Sequence, residues 1–120
     1  MATALKLYGI PNCETVKKAR TWLESRGVDY DFHDYKKHGV DRERLEAWVR
    51  EHGWETVLNR SGMTFRKLDP RLTRDLDARK AVALMVEHPS SIKRPIAVDG
   101  RRTLLGFKPE AYETAFGAKR

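Results

Sequence analysis

Apolar residues change their spacing several times along this chain, and each change marks a new element. Leu5 to Tyr8 is a short apolar-rich segment that stops at Gly9-Ile10-Pro11-Asn12, which reads as a strand running into a turn. From Thr15 onward Val16, Ala19, Trp22 and Leu23 recur at helical spacing while Lys17, Lys18, Arg20 and Glu24 face elsewhere. This predicts a helix of about three turns with Gly27 as its stop. Val28, Tyr30 and Phe32 then alternate with Asp29, Asp31 and His33, the period of a half-buried strand. The opening of the chain therefore reads β-α-β.

Lys36 to Gly39 reads as a polar loop. Asp41 follows as the cap of a helix with Leu45, Trp48 and Val49 on its buried face and Gly53 at its end. Asn59 to Gly62 marks a second turn. Asp69-Pro70 sets a capping carboxylate before a proline at the first helical position, and the segment is expected to run on as one longer helix through Ala81, Val82, Leu84 and Met85 to His88-Pro89. Ile96-Ala97-Val98 and Thr103-Leu104-Leu105 flank Asp99-Gly100, a hairpin signal of the type I′ kind. Pro109 opens a last helix with Ala111, Tyr112, Ala115 and Phe116 on its apolar face and Gly117 as its stop. The order β-α-β, helices, β-β-α predicts an α/β layer protein with a mixed sheet of about four strands and a helical insertion between its halves.

Composition narrows the class. A chain of 120 residues suits one domain and needs no disulfide or metal staple. With 40% hydrophobic and 34% charged residues it reads as an ordinary globular protein. No apolar run approaches the roughly 18 residues of a membrane span, and the opening MATALKLYGIP does not read as a secretory signal, so a cytoplasmic location is expected. The net charge of +7 favours an anionic partner, but the cations are scattered and a solvated helix surface accounts for most of them. The four histidines, at 33, 38, 52 and 88, lack metal-ligand spacing, so no metal is expected. The tryptophans at 22, 48 and 54 are explained by core packing, and no direct nucleic-acid binding is expected.

The chain's single cysteine, Cys13, is either an inert thiol or a reactive one. Its place in a strand-to-helix turn sets it near backbone N–H groups without intrahelical partners, and the helix dipole adds positive potential. Both favour thiolate over thiol, and Lys17, one turn into the helix, is expected to push the same way. Arg94-Pro95 is an X-Pro step just ahead of a strand, where a cis peptide can turn backbone polar groups toward a neighbouring site. Lys93, Arg94 and Lys108 bracket the hairpin, as ordinary surface cations or as groups that hold an anionic substrate.

Read in order, Leu-Tyr-Gly-Ile-Pro-Asn-Cys, Gly53-Trp54-Glu55, Leu58-Asn59-Arg60, Lys67-Leu68-Asp69, Ile92-Lys93-Arg94-Pro95-Ile96 and Leu104-Leu105-Gly106-Phe107 span nearly the whole chain. Together they resemble the YffB branch of the arsenate reductase (ArsC)/Spx family. The resemblance implies a single domain over residues 1–120 with a thioredoxin-like fold, its thioredoxin-like parts about 4–36 and 89–120 and its helical insertion about 41–88. It also implies an active-site cysteine at Cys13 and a cis-proline at Pro95.

In arsenate reductases of the family three arginines hold the oxyanion. Arg94 matches the one before the proline, Arg60 lies at or one residue from another, and Lys108 takes the place of the third. A histidine four residues before the cysteine is replaced by Gly9, and the Ser-Arg beyond the cysteine by Val16-Lys17. Spx-like regulators, which bind the RNA polymerase α subunit, commonly carry a CxxC switch here, whereas Cys13-Glu14-Thr15-Val16 has one cysteine. The YffB branch implies a glutathione-dependent thiol reductase acting through a single nucleophilic cysteine. Glutathione is the expected co-substrate, and Arg94, Pro95, Lys17, Arg60 and Lys108 are the candidate substrate-binding residues. A non-enzymatic regulator contacting RNA polymerase and an arsenate reductase using glutathione and glutaredoxin are the alternatives.

Overall fold

The computed structural model describes residues 5–100 and 102–117. The chain divides into two compact units, one built from the segment ending at Asp34 and the segment starting at Arg94, the other running from Tyr35 to Lys93. The second unit starts earlier and ends later than the predicted insertion over 41–88.

In the first unit, β1 (Leu5–Gly9), α1 (Glu14–Ser25) and β2 (Asp31–Asp34) come from the N-terminal side, and β3 (Ile96–Asp99), β4 (Arg102–Leu105) and α8 (Pro109–Phe116) from the C-terminal side. The sheet order is β2-β1-β3-β4, with β1 parallel to β2 and both other pairings antiparallel. This is the mixed four-stranded α/β sheet that the alternating pattern predicts. Leu5 and Leu7, two residues apart on one face of β1, pack with Ala19, Trp22 and Leu23 of α1 and with Tyr112 and Phe116 of α8 in one core. Burying several such side chains, each worth roughly 1.5–3 kcal/mol, fixes the end of β1 against the start of α1.

Two local expectations in this unit shift. The alternating segment from Val28 forms a strand only from Asp31, although Val28 is buried. The hairpin register pairs Asp99 with Arg102, so Asp99 closes the β3 ladder instead of opening the loop as expected. Gly100 takes the positive φ, +61°, that such a loop requires, and Arg101 lies outside the described residues. Gly117 is the C-cap of α8, the stop that the sequence predicts, with right-handed backbone at φ −59°.

The second unit is helical: α2 (Tyr35–His38), α3 (Arg42–His52), α4 (Trp54–Val57), α5 (Met63–Arg66), α6 (Pro70–Thr73) and α7 (Ala78–Glu87). Leu45, Trp48 and Val49 of α3 and Ala81, Val82, Leu84 and Met85 of α7 are buried, as their spacing predicts. Two expectations fail. The polar loop at Lys36 is a helical turn, held because Tyr35 is buried and its hydroxyl donates to the Lys93 carbonyl at 3.2 Å. The long helix from Asp69 is two helices. Asp69 caps only one turn, Asp75 breaks the run at φ +54°, and Asp77 starts a new helix by accepting from the Lys80 N–H at 2.8 Å.

Candidate active site

β1 ends at Gly9, and Ile10, Pro11 and Asn12 carry the chain to Cys13, the residue that precedes α1. Gly9 is the only residue type that fits its place. A Cβ there would stand 2.8 Å from Cγ2 of Val16, a fully buried side chain in the first turn of α1. The close approach sets how far the helix start lies from the strand end, and hence where Cys13 sits.

Cys13 has extended backbone, φ −141° and ψ 124°, and its carbonyl accepts the Lys17 N–H at 2.9 Å, so it is the N-cap of a twelve-residue helix. The Cys13 side chain makes no capping hydrogen bond. The thiolate has more to gain. Partial burial pushes the Cys13 pKa up, but the Val16 N–H, the Arg94 guanidinium by hydrogen bond and by charge, and the Thr15 N–H together bring it below that of a free thiol. Thr15 and Val16 are the second and third helical residues, whose amides have no carbonyl partner inside the helix.

Arg94 comes to the thiol from the other side of the sheet order, at the lead-in to β3. The Arg94–Pro95 peptide is cis, and the Pro95 carbonyl accepts the Gly106 N–H at 2.8 Å. This ties the Arg94-Pro95 step to the far end of the hairpin. The structure thus brings Cys13, Arg94 and Pro95 into one unit, with Arg94 acting directly on the sulfur.

The other predicted residues are placed differently. Lys17 turns its ammonium to Glu14, at 3.7 Å, and both side chains are largely in solvent, so the expected push of Lys17 on the thiol is replaced by that of Arg94. Lys108 is the exposed N-cap of α8, and its neighbours Phe107 and Pro109 line an open groove with Glu14, Lys17 and Trp22. Arg60 belongs to the second unit. There it lies 5.4 Å from the centre of the Trp54 ring and shares an open groove with Asn59, Ser61 and Lys93. The sequence foretells free helix-start amides around Cys13 without singling out Thr15 and Val16, and it shows Gly9 in the turn without showing its close approach to Val16. The available signal was a glycine closing a strand just ahead of a cysteine turn.

Chemically, the arrangement presents one thiolate, stabilised by a helix start and a guanidinium, with no second cysteine anywhere in the chain. Such a sulfur can attack another sulfur or an oxyanion and then needs an external thiol to release it. Among the described residues, no group of three or more His, Cys, Asp or Glu side chains is arranged to hold a metal ion, and no helix is long and apolar enough to cross a membrane.

The chain is similar to known proteins over most of its length. The family model described as the ArsC family matches residues 8–115. A solved structure of a protein named YFFB is 60% identical, covers 92% of this chain and 97% of its own, and superposes with a TM-score of 0.90. An arsenate reductase (ArsC) related protein from Brucella melitensis is 46% identical over 97% of both chains, with a TM-score of 0.74. The global transcriptional regulator Spx 2 of Bacillus anthracis is 28% identical over 106 residues, which is 87% of this chain and 80% of the regulator.

Proposed function

This chain belongs to the ArsC family, in the YffB and Spx branch of the thioredoxin-like superfamily and thus to a family of thiol-reductase type, and from that premise we propose that it is a glutathione-dependent thiol–disulfide reductase with Cys13 as nucleophile. The observation that carries the reading is a thiol lowered by Arg94 and two helix amides in a chain without a resolving cysteine. In the cycle, the Cys13 thiolate attacks the glutathione sulfur of a mixed disulfide. The bond to the substrate sulfur breaks, and the substrate leaves as a thiolate. A glutathione thiol then gives up its proton to that thiolate and attacks the Cys13–glutathione bond, releasing oxidised glutathione and restoring the Cys13 thiolate. Two electrons pass from glutathione to the substrate.

Glutathione carries carboxylates at both ends. Arg94, Lys17, Arg60 and Lys108 are the cations proposed to receive them, and backbone groups around Pro95 are proposed to dock the cysteinyl residue as a short added strand. A reducing, glutathione-rich cytoplasm is the setting this cycle requires.

Alkylation of Cys13 against pH, with and without glutathione, tests the proposal. A midpoint below the ~8.5 of a free cysteine, together with a glutathione adduct that reduced glutathione removes, is the expected result. The Cys13→Ser variant keeps its fold and loses turnover of a glutathione mixed disulfide. A midpoint at or above the free value with no adduct, or turnover retained in Cys13→Ser, overturns it. Turnover of arsenate with glutathione and glutaredoxin would instead place the chain with the arsenate reductases.

A second reading is favoured by the likeness to the Spx 2 regulator: a binding protein that contacts the RNA polymerase α subunit. Its mark is co-purification with that subunit that survives the loss of Cys13.

A further inference from the structure

The second unit carries a cleft that thiol chemistry does not use. It lies between α3 and the first turn of α7 and has a volume of about 230 Å³. Its floor is formed by Val49 and Val82, which are nearly buried, and its rim by Arg42, Arg50 and Arg79, which are exposed. Arg42, Glu46 and Arg50 follow one another at four-residue steps and so share one face of α3. The ion pairs of Lys17, Arg26, His52 and Arg71 leave the three arginines of the rim untouched. Three arginines and a single carboxylate, that of Glu46, thus line a cleft whose floor is apolar.

Size and chemistry together identify the occupant. The cleft is smaller than the roughly 300–1,000 Å³ of sites that enclose a whole small molecule, so it suits an anchoring side chain of something larger. Nucleic acid fits poorly, because a phosphate backbone gains nothing from valines and the cleft presents no aromatic ring for a base to stack on. An acidic peptide segment fits both features. A leucine-like side chain covers Val49 and Val82, and flanking carboxylates meet guanidiniums, whose fork suits bidentate pairing. We propose that the α3–α7 cleft docks an acidic, leucine-bearing segment of a partner protein, independently of Cys13.

The test titrates the isotopically labelled full chain with a synthetic peptide of about a dozen residues, carrying glutamates on either side of two leucines one helical turn apart. The expected result is saturable movement of the amide signals of Val49, Arg50, Ala78, Arg79 and Val82, with affinity falling as salt rises. Reversing the rim with Arg42→Glu, Arg50→Glu and Arg79→Glu together weakens binding about tenfold or more while Cys13 alkylation is unchanged. Should that triple variant fail to fold, Ala78→Glu, at an exposed position on the same cleft, weakens binding about threefold or more. Signals that move elsewhere, equal affinity in the reversed variant, or an oligonucleotide that displaces the peptide from the same amides would each overturn the proposal.

Discussion

Two helices, one in each unit, begin in nearly the same way and to different ends. α7 starts after Asp77 and α1 after Cys13, both N-cap residues with extended backbone at φ −138° and −141°. At α7 the Asp77 carboxylate accepts the third helical amide, that of Lys80, at 2.8 Å. At α1 the equivalent amide belongs to Val16, and it stabilises the Cys13 sulfur as thiolate. The Asp77 carboxylate fills its cap with a full hydrogen bond, and the yield is stability. A cysteine fills the cap only when ionised, so the same backbone attraction yields reactivity instead. Arg94 adds to the second case a cation that the first does without. A helix start attracts negative charge in either case, and the side chain placed there decides what that attraction does.

Substitution at the cap tests this contrast most strongly. Cys13→Asp turns the conditional cap into a permanent one: thiol alkylation and reductase turnover vanish completely, while the melting temperature holds or rises. The wild-type cap should also leave a pH signature. Because the folded Cys13 pKa lies below its unfolded value, the thiolate's contribution to stability is complete above the unfolded thiol pKa and is lost as pH falls through the folded one. Denaturant melts of wild type against Cys13→Ser should therefore diverge in favour of wild type as pH rises, and a constant difference would break the comparison.

Arg94→Ala acts next in size. With the guanidinium gone, burial has less to oppose it, so the alkylation midpoint moves up in pH and the rate at neutral pH falls, while Lys17→Ala leaves the midpoint nearly in place. Equal shifts in the two variants would show that any nearby cation serves. The smallest effect belongs to the other helix. Asp77→Ala removes a filled cap and should cost about 1 kcal/mol, lowering the melting temperature by roughly 4 °C without changing Cys13 titration.

Periodicity made the long elements legible. Val16, Ala19, Trp22 and Leu23 mark α1, and Leu45, Trp48 and Val49 mark α3, because a buried stripe leaves a spacing that can be read directly. The errors fall where a single contact overrides a local pattern. Tyr35 closes a helical turn over a run that reads as loop, and Asp75 and Asp77 split a helix whose apolar residues continue across the break. Asp99-Gly100 reads as a turn because its glycine offers the positive φ, and only the pairing of Asp99 with Arg102 shows that Asp99 belongs to the ladder. At the site, Cys13 and Arg94-Pro95 were visible because backbone position announces them. The partner of Lys17 was not, since a long flexible side chain settles its charge on whichever neighbour lies nearest, and that neighbour is Glu14.

The contact between Gly9 and Val16 also orders the routes by which such a site can change over time. A histidine cannot simply be substituted at position 9, because its Cβ would press on a β-branched side chain that is fully buried and has one strongly preferred rotamer in a helix. Val16 has to shrink first. The same histidine is therefore harmful on the present background and acceptable on one where residue 16 has already become small. Positions 9 and 16 are thus coupled, and a side chain at the first is accommodated by a smaller residue at the second.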